Sequence, residues 1–221
     1  MDLQTSWKKL DDEFSSLSSH IRDYAAKRPL IGSPSDFSVL DECMLEGLLS
    51  RAWQAWCLFC RSCVVDSCIG TVNLAGNSIA GLPDATSEAH VSGAALRAKQ
   101  NKAQPPFWGQ TNTELRHEPT WGDVDVLTKL VVRLQPTNSS QLLAAFSSGH
   151  ISAKRLQTIR NSAAHDNHQT LANVHQLSSA FQAFVIGHPT HALFWIHPNT
   201  SDFLITQSMQ ELVVMGRDAI S

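Results

Sequence analysis

A chain of 221 residues with 43% hydrophobic side chains can bury one sizeable core, so a single domain over 1–221 is the first expectation. A net charge of −3 gives no general attraction for polyanions, and the absence of any run of eighteen apolar residues argues against a membrane-spanning segment. Lys8 and Lys9 are not followed by an apolar stretch, which predicts no secretory leader and a cytoplasmic protein.

Trp7, Leu10, Phe14, Leu17, Ile21 and Tyr24 recur at three- and four-residue steps, predicting an amphipathic helix that ends at Arg28-Pro29. A long helix is predicted from about Ser38 to Ile69, with Ser35 or Asp36 as its cap and Gly70 as its stop. Along it Leu40, Met44, Leu48, Ala52, Trp56, Cys60 and Val64 form one ridge, and Leu45, Leu49, Trp53 and Cys57 a second. A face this wide suits the central helix of a bundle, although Trp53 and Trp56 would serve a partner surface equally well. Four of the five cysteines fall between Cys57 and Cys68 on this helix. That pattern suits reduced, core-packing thiols better than a disulfide framework or a metal site.

Residues 71–122 change character, with Gly, Ser, Ala, Asn and Pro prominent and only Glu88 to Lys102 able to form a short helix. This reads as a long loop-rich insertion. It carries Arg97, Lys99, Lys102, Arg116 and His117 interleaved with Trp108 and Trp121. Cations among aromatics suit single-stranded RNA, by phosphate contact and base stacking. Tryptophans that anchor a loop to the core are the alternative. Helical patterns then return from Asp123 or Asp125 to Leu134, Asn138 to Phe146, Ile151 to Ala164, Gln169 to Val185, and Ser201 or Asp202 to Met215, with an extended or irregular buried segment at Ala192 to Ile196. The fold class expected is all-α.

Charge is segregated along the chain. Residues 1–89 hold seven Lys/Arg against twelve Asp/Glu, residues 90–165 nine against four, and residues 166–221 one against four. The one positive stretch contains Arg160-Asn161-Ser162-Ala163-Ala164-His165. Histidine can give or take a proton near neutral pH, and the arginine fork fits phosphate oxygens. By composition, an Arg with a His five positions on is expected roughly half a time by chance, and about a few hundredths of a time when Asn must follow the Arg. On an ideal helix the pair diverges by about 140°, so the two side chains do not share a face. A His beside a helix C-terminus with a surface Arg nearby remains the plain structural reading.

The hexapeptide resembles the R-(N/D/H)-x-x-x-H signature of the HEPN superfamily, small helical proteins that include many metal-independent ribonucleases. The likeness covers residues 150–185 best and the helix at 38–69 more loosely. It implies a HEPN-like helical bundle in which Arg160 holds the scissile phosphate, Asn161 orients the reacting groups and His165 transfers protons. It implies no metal or other cofactor. Asp166 and His168 would support the site, and Arg97, Lys99, Lys102, Trp108 and Arg116 would bind the substrate RNA. A homodimer pairing two motifs in one cleft, a toxin or antiviral-defence role and a regulatory or antitoxin partner are further implications. A non-catalytic RNA-binding or scaffold module is the competing expectation.

Overall fold

A computed structural model of the chain describes residues 2–28, 31–100, 111–165 and 167–221. The protein is all-α, with eight α-helices, four short 3-10 turns and one two-stranded hairpin among the described residues. It divides into two compact units. The first comprises Met1–Asp11, Ala55–His150 and Val213–Ser221; the second comprises Asp12–Gln54 and Ile151–Leu212.

In the first unit, the end of α2 (Val39–Ile69) supplies Trp56, Phe59, Cys60, Cys63 and Val64 to the core. Around it lie α3 (Glu88–Lys99), α4 (Val124–Leu134) and α5 (Ser139–Ser148), with α4 packed on both its neighbours. Leu127, Leu130, Val131 and Leu134 of α4 are buried at helical spacing, as the amphipathic pattern requires. After Ile69 the chain makes a hairpin that sequence periodicity does not reveal: Thr71–Val72 pairs antiparallel with Ser78–Ile79. Gly70 permits it with a φ of +105°, a backbone region that disfavours any Cβ. Gly81 then passes so close to the helix end that an added Cβ would sit 2.1 Å from the Ile69 carbonyl oxygen. Gly81→Ala must push two backbones apart, and a loss of about 1–3 kcal/mol is expected in denaturant titration.

In the second unit, α1 (Leu3–Ala26) contributes Phe14, Leu17 and Ile21 to the core, and the first half of α2 contributes Leu45, Leu49 and Trp53. α6 (His150–Ala164), α7 (His168–Leu177) and the start of α8 (Leu204–Ala219) complete its helices. The cap of α2 is Ser38, one turn later than Ser35 or Asp36. Its hydroxyl accepts from the Asp41 N–H at 3.3 Å while the Asp41 carboxylate accepts from the Ser38 N–H at 2.8 Å, a reciprocal capping box. Ser33 to Asp36 instead form a separate 3-10 turn with its own cap.

Two stripes are shorter than their periodicity suggests. Leu40 and Met44 are exposed, and the first α2 ridge is fully buried only from Ala52 onward. An i, i+4 row turns by about 40° per step, so no single row of a 31-residue helix stays on one face. The helix expected to reach Val185 stops at Leu177. Ser178–Ala180 form a 3-10 turn, and Gln182 then makes an antiparallel bridge to Ile196. That bridge, with the edge-on contact of Phe181 and His197, competes successfully with the helical pattern. The segment expected to be extended or irregular, Ala192 to Ile196, is buried through Trp195; it begins inside the 3-10 turn Pro189–Phe194 and ends in the bridges of Ile196. No helix among the described residues is long and apolar enough to cross a membrane.

Candidate active site

The motif lies at the end of α6, and its backbone is firmly held. The His165 N–H closes the last helical bond onto the Asn161 carbonyl at 3.0 Å. The His165 carbonyl in turn accepts from Asn167 Nδ2 at 2.9 Å and from Thr170 Oγ1 at 2.7 Å. Asn167 is also the N-cap of α7, its side chain accepting from the Thr170 N–H at 3.0 Å. His165 and Asn167 are thereby tied to the first turn of the next helix. The exposed His165 ring makes no hydrogen bond among the described residues.

Arg160 and His165 diverge, as helical spacing requires. Arg160 is half-buried and lines a groove of about 320 Å³, with Cys43, Glu46, Gly47 and Ser50 of α2 on the opposite wall and Ala163 and Ala164 beside it. Gly47, Ala163 and Ala164 leave that space open because they carry little or no side chain. Ser162 has another role, since it is buried away from solvent. Asn161 accepts from Arg160 Nη1 at 3.2 Å, yet it lines a different groove, of about 280 Å³, with Lys154, Gln157, Thr158, Thr170 and Asn173. The structure thus joins Arg160 to Asn161 but places no bond between either and the His165 ring. His168 is exposed at the start of α7. Asp166 lies outside the described residues.

Arg97, Lys99 and Arg116 belong to the first unit, whereas the motif belongs to the second. Lys99 is exposed and Arg97 is half-buried and bonded, both in the last turn of α3. Arg116 is exposed but paired with Glu114 at 2.8 Å. Lys102 and Trp108 lie outside the described residues. Trp121 is a core side chain, buried with its Nε1–H donating to Glu118 at 2.8 Å, so base stacking is not its role. Cys60, Cys63 and Cys68 are likewise buried. Burial pushes all three thiols up, that of Cys68 to about 12, which keeps them protonated at neutral pH.

Sequence reading missed two histidine–glutamate pairs that join α2 to the 188–194 turn. His191 Nε2 lies 3.0 Å from Glu42, and His188 Nε2 lies 3.3 Å from Glu46. Burial lowers the His191 pKa, against the opposing pull of Glu42. The partners are 149 residues apart in one pair, and only the i, i+4 glutamates and i, i+3 histidines hinted at a shared face. No family model, curated protein or solved structure matches this chain.

Proposed function

We propose that the protein is a metal-independent endoribonuclease of HEPN type, acting in the cytoplasm as a toxin or antiviral-defence effector. The observation that carries the reading is the setting of Arg160. Arg160 lines a groove kept open by Gly47, Ala163 and Ala164, and His165 follows directly after the last of these. A phosphate in that groove would meet a fork of donors suited to its oxygens and to the extra charge of a phosphorane. Asn161 orients the guanidinium through its 3.2 Å bond. His165 transfers a proton, and the products are a 2′,3′-cyclic phosphate and a 5′-hydroxyl. Lys99, with Arg97, Lys102, Trp108 and Arg116, would attract the rest of the RNA.

One imidazole cannot be base and acid at once in a single transesterification step. The resemblance meets this with a homodimer whose two motifs share a cleft, and a regulatory or antitoxin protein would hold such an activity in check. Purified protein is expected to cut RNA with EDTA present, leaving cyclic-phosphate ends. His165→Ala should lose about 10²–10⁴-fold, the usual share of a general acid or base. Cleavage that persists unchanged in that variant rules the assignment out. That no hydrogen bond orients the His165 ring among the described residues favours one second reading, a non-catalytic RNA-binding or scaffold module. There Arg160→Ala weakens RNA retention while no preparation yields cyclic-phosphate ends.

A further inference from the structure

The wall of the groove facing Arg160 carries a carboxylate that the motif does not include. Glu46 lines the groove and is 45% exposed, while His188, 3.3 Å behind its Oε1, is only 20% exposed. His188 is itself fixed. Its Nδ1 lies 2.8 Å from the Thr190 hydroxyl and accepts from the Thr190 N–H at 3.4 Å, so the ring proton sits on Nε2, the nitrogen 3.3 Å from Glu46 Oε1. One turn earlier on α2 the arrangement repeats in sealed form. His191 is 1% exposed, its Nδ1 accepts from the Gly187 and His188 N–H groups at 3.2 and 3.3 Å, and its ring stacks on Phe37 at 4.0 Å. The inner pair, Glu42–His191, ties the 188–194 turn to the helix. The outer pair is a looser contact, 3.3 Å without the hydrogen bond that joins His191 to Glu42, and its glutamate lines the groove.

We infer that Glu46, positioned by His188, is the general base of this site, so that one groove of one copy holds base and phosphate ligand. The inference rests on the ribonuclease reading, and it leaves His165, which does not itself line the groove, the role of acid alone. Glu46 takes the proton of the ribose 2′-OH, and the 2′-oxygen forms its bond to phosphorus. Arg160 holds the non-bridging oxygens. The P–O5′ bond breaks as His165, which begins the turnover as an imidazolium, gives its proton to the departing 5′-oxygen. Glu46 then returns its proton to solvent and His165 regains one, so charge and protons balance over the cycle. Among the described residues, the titratable and charged groups facing Glu46 are Arg160 across the groove, His188 behind it and Cys43 one turn back, with the sealed Glu42–His191 pair beyond.

The test is the pH profile of RNA cleavage in EDTA for the wild type, Glu46→Gln, Glu46→Ala, His188→Gln and His165→Ala, each checked for native thermal unfolding. Glu46→Gln is nearly isosteric and should lower kcat by about 10²–10⁴-fold and flatten the acidic limb of the profile. His165→Ala should flatten the alkaline limb instead. His188→Gln should move the acidic limb without abolishing cleavage, which a purely structural contact would not do. Added formate should restore part of the Glu46→Ala activity by supplying the missing carboxylate. A Glu46→Gln enzyme that keeps its rate and its acidic limb, beside an inactive His165→Ala, overturns this inference and leaves the ribonuclease reading intact. A wild type that leaves RNA whole overturns both.

Discussion

Trp56→Ala is expected to destabilise the protein by about 3–5 kcal/mol, enough to threaten folding at physiological temperature. The indole is completely buried in the first unit. It meets Phe146 edge-on at 6.5 Å and tilts against Phe59 at 5.7 Å, geometries that favour aromatic pairs beyond the area they bury. Its Nε1–H also donates to the Gly122 carbonyl at 3.1 Å, where the loop-rich 71–122 stretch rejoins the helices. Truncation leaves a cavity and an unsatisfied carbonyl together. Trp56→Phe separates the two terms: it keeps most of the apolar area and forfeits the hydrogen bond, for an expected loss of about 1–3 kcal/mol. Urea midpoints for the two variants measure this order. A Trp56→Ala protein within about 1 kcal/mol of wild type would show that the site collapses around the gap.

The sequence declared most of the helices because their burial stripes are strong and local. The Leu127–Leu130–Val131–Leu134 stripe of α4 is the clearest case. Where another bond offered the chain an alternative, periodicity misled. The stripe continues through Phe181 and Phe184, yet the Gln182–Ile196 bridge ends the helical run before them. Ser35 and Asp36 look like caps, but a capping box needs its acidic residue three positions on, which Ser38 and Asp41 provide. The hairpin after Ile69 is two residues per strand, too short for any alternation to register. At the candidate site, the divergence of Arg160 and His165 follows from 3.6 residues per turn and was legible. The groove opposite Arg160 was not, because Glu46 and His188 meet only through the tertiary fold. Charge counting was similarly blind to pairing: Arg116 adds to the basic total of residues 90–165 while Glu114 sits against it.

Arg61→Ala is expected to cost about 3–5 kcal/mol at neutral pH and to reverse the local pH dependence of stability. Arg61 clamps Glu118 through Nε and Nη2 at 2.7 and 2.8 Å, and Glu88 through Nη1 at 2.5 Å. The Glu118 side chain is only 4% exposed and also accepts from Ser92 Oγ at 2.6 Å and Trp121 Nε1 at 2.8 Å. Burial alone would raise its pKa. The hydrogen bonds from Arg61, Ser92 and Trp121, together with the Arg61 charge, hold it below its ordinary 4.5. In the wild type this carboxylate therefore adds stability that is fully present above the unfolded value and is lost as pH falls through the lower folded value. Without Arg61 the two neutral donors remain but the charge does not, so burial prevails and the folded pKa rises above the unfolded one. The variant then gains stability from Glu118 as pH falls from 7 toward 5, where the wild type gains none. Urea midpoints at pH 5 and pH 7 read the difference directly, and a parallel pH dependence in the two proteins would refute it. Arg61→Met with Glu118→Leu removes the stranded carboxylate and should recover much of the loss, because a well-packed apolar pair often replaces a buried ion pair without penalty. Glu88 and Glu118 bracket the stretch that carries Arg97, Lys99 and Arg116, so the same substitution releases the segment displaying the proposed RNA-binding cations. A fall in RNA affinity in Arg61→Ala, with its restoration in the apolar double variant, would tie that binding to the anchored geometry of the segment and not to its charge alone.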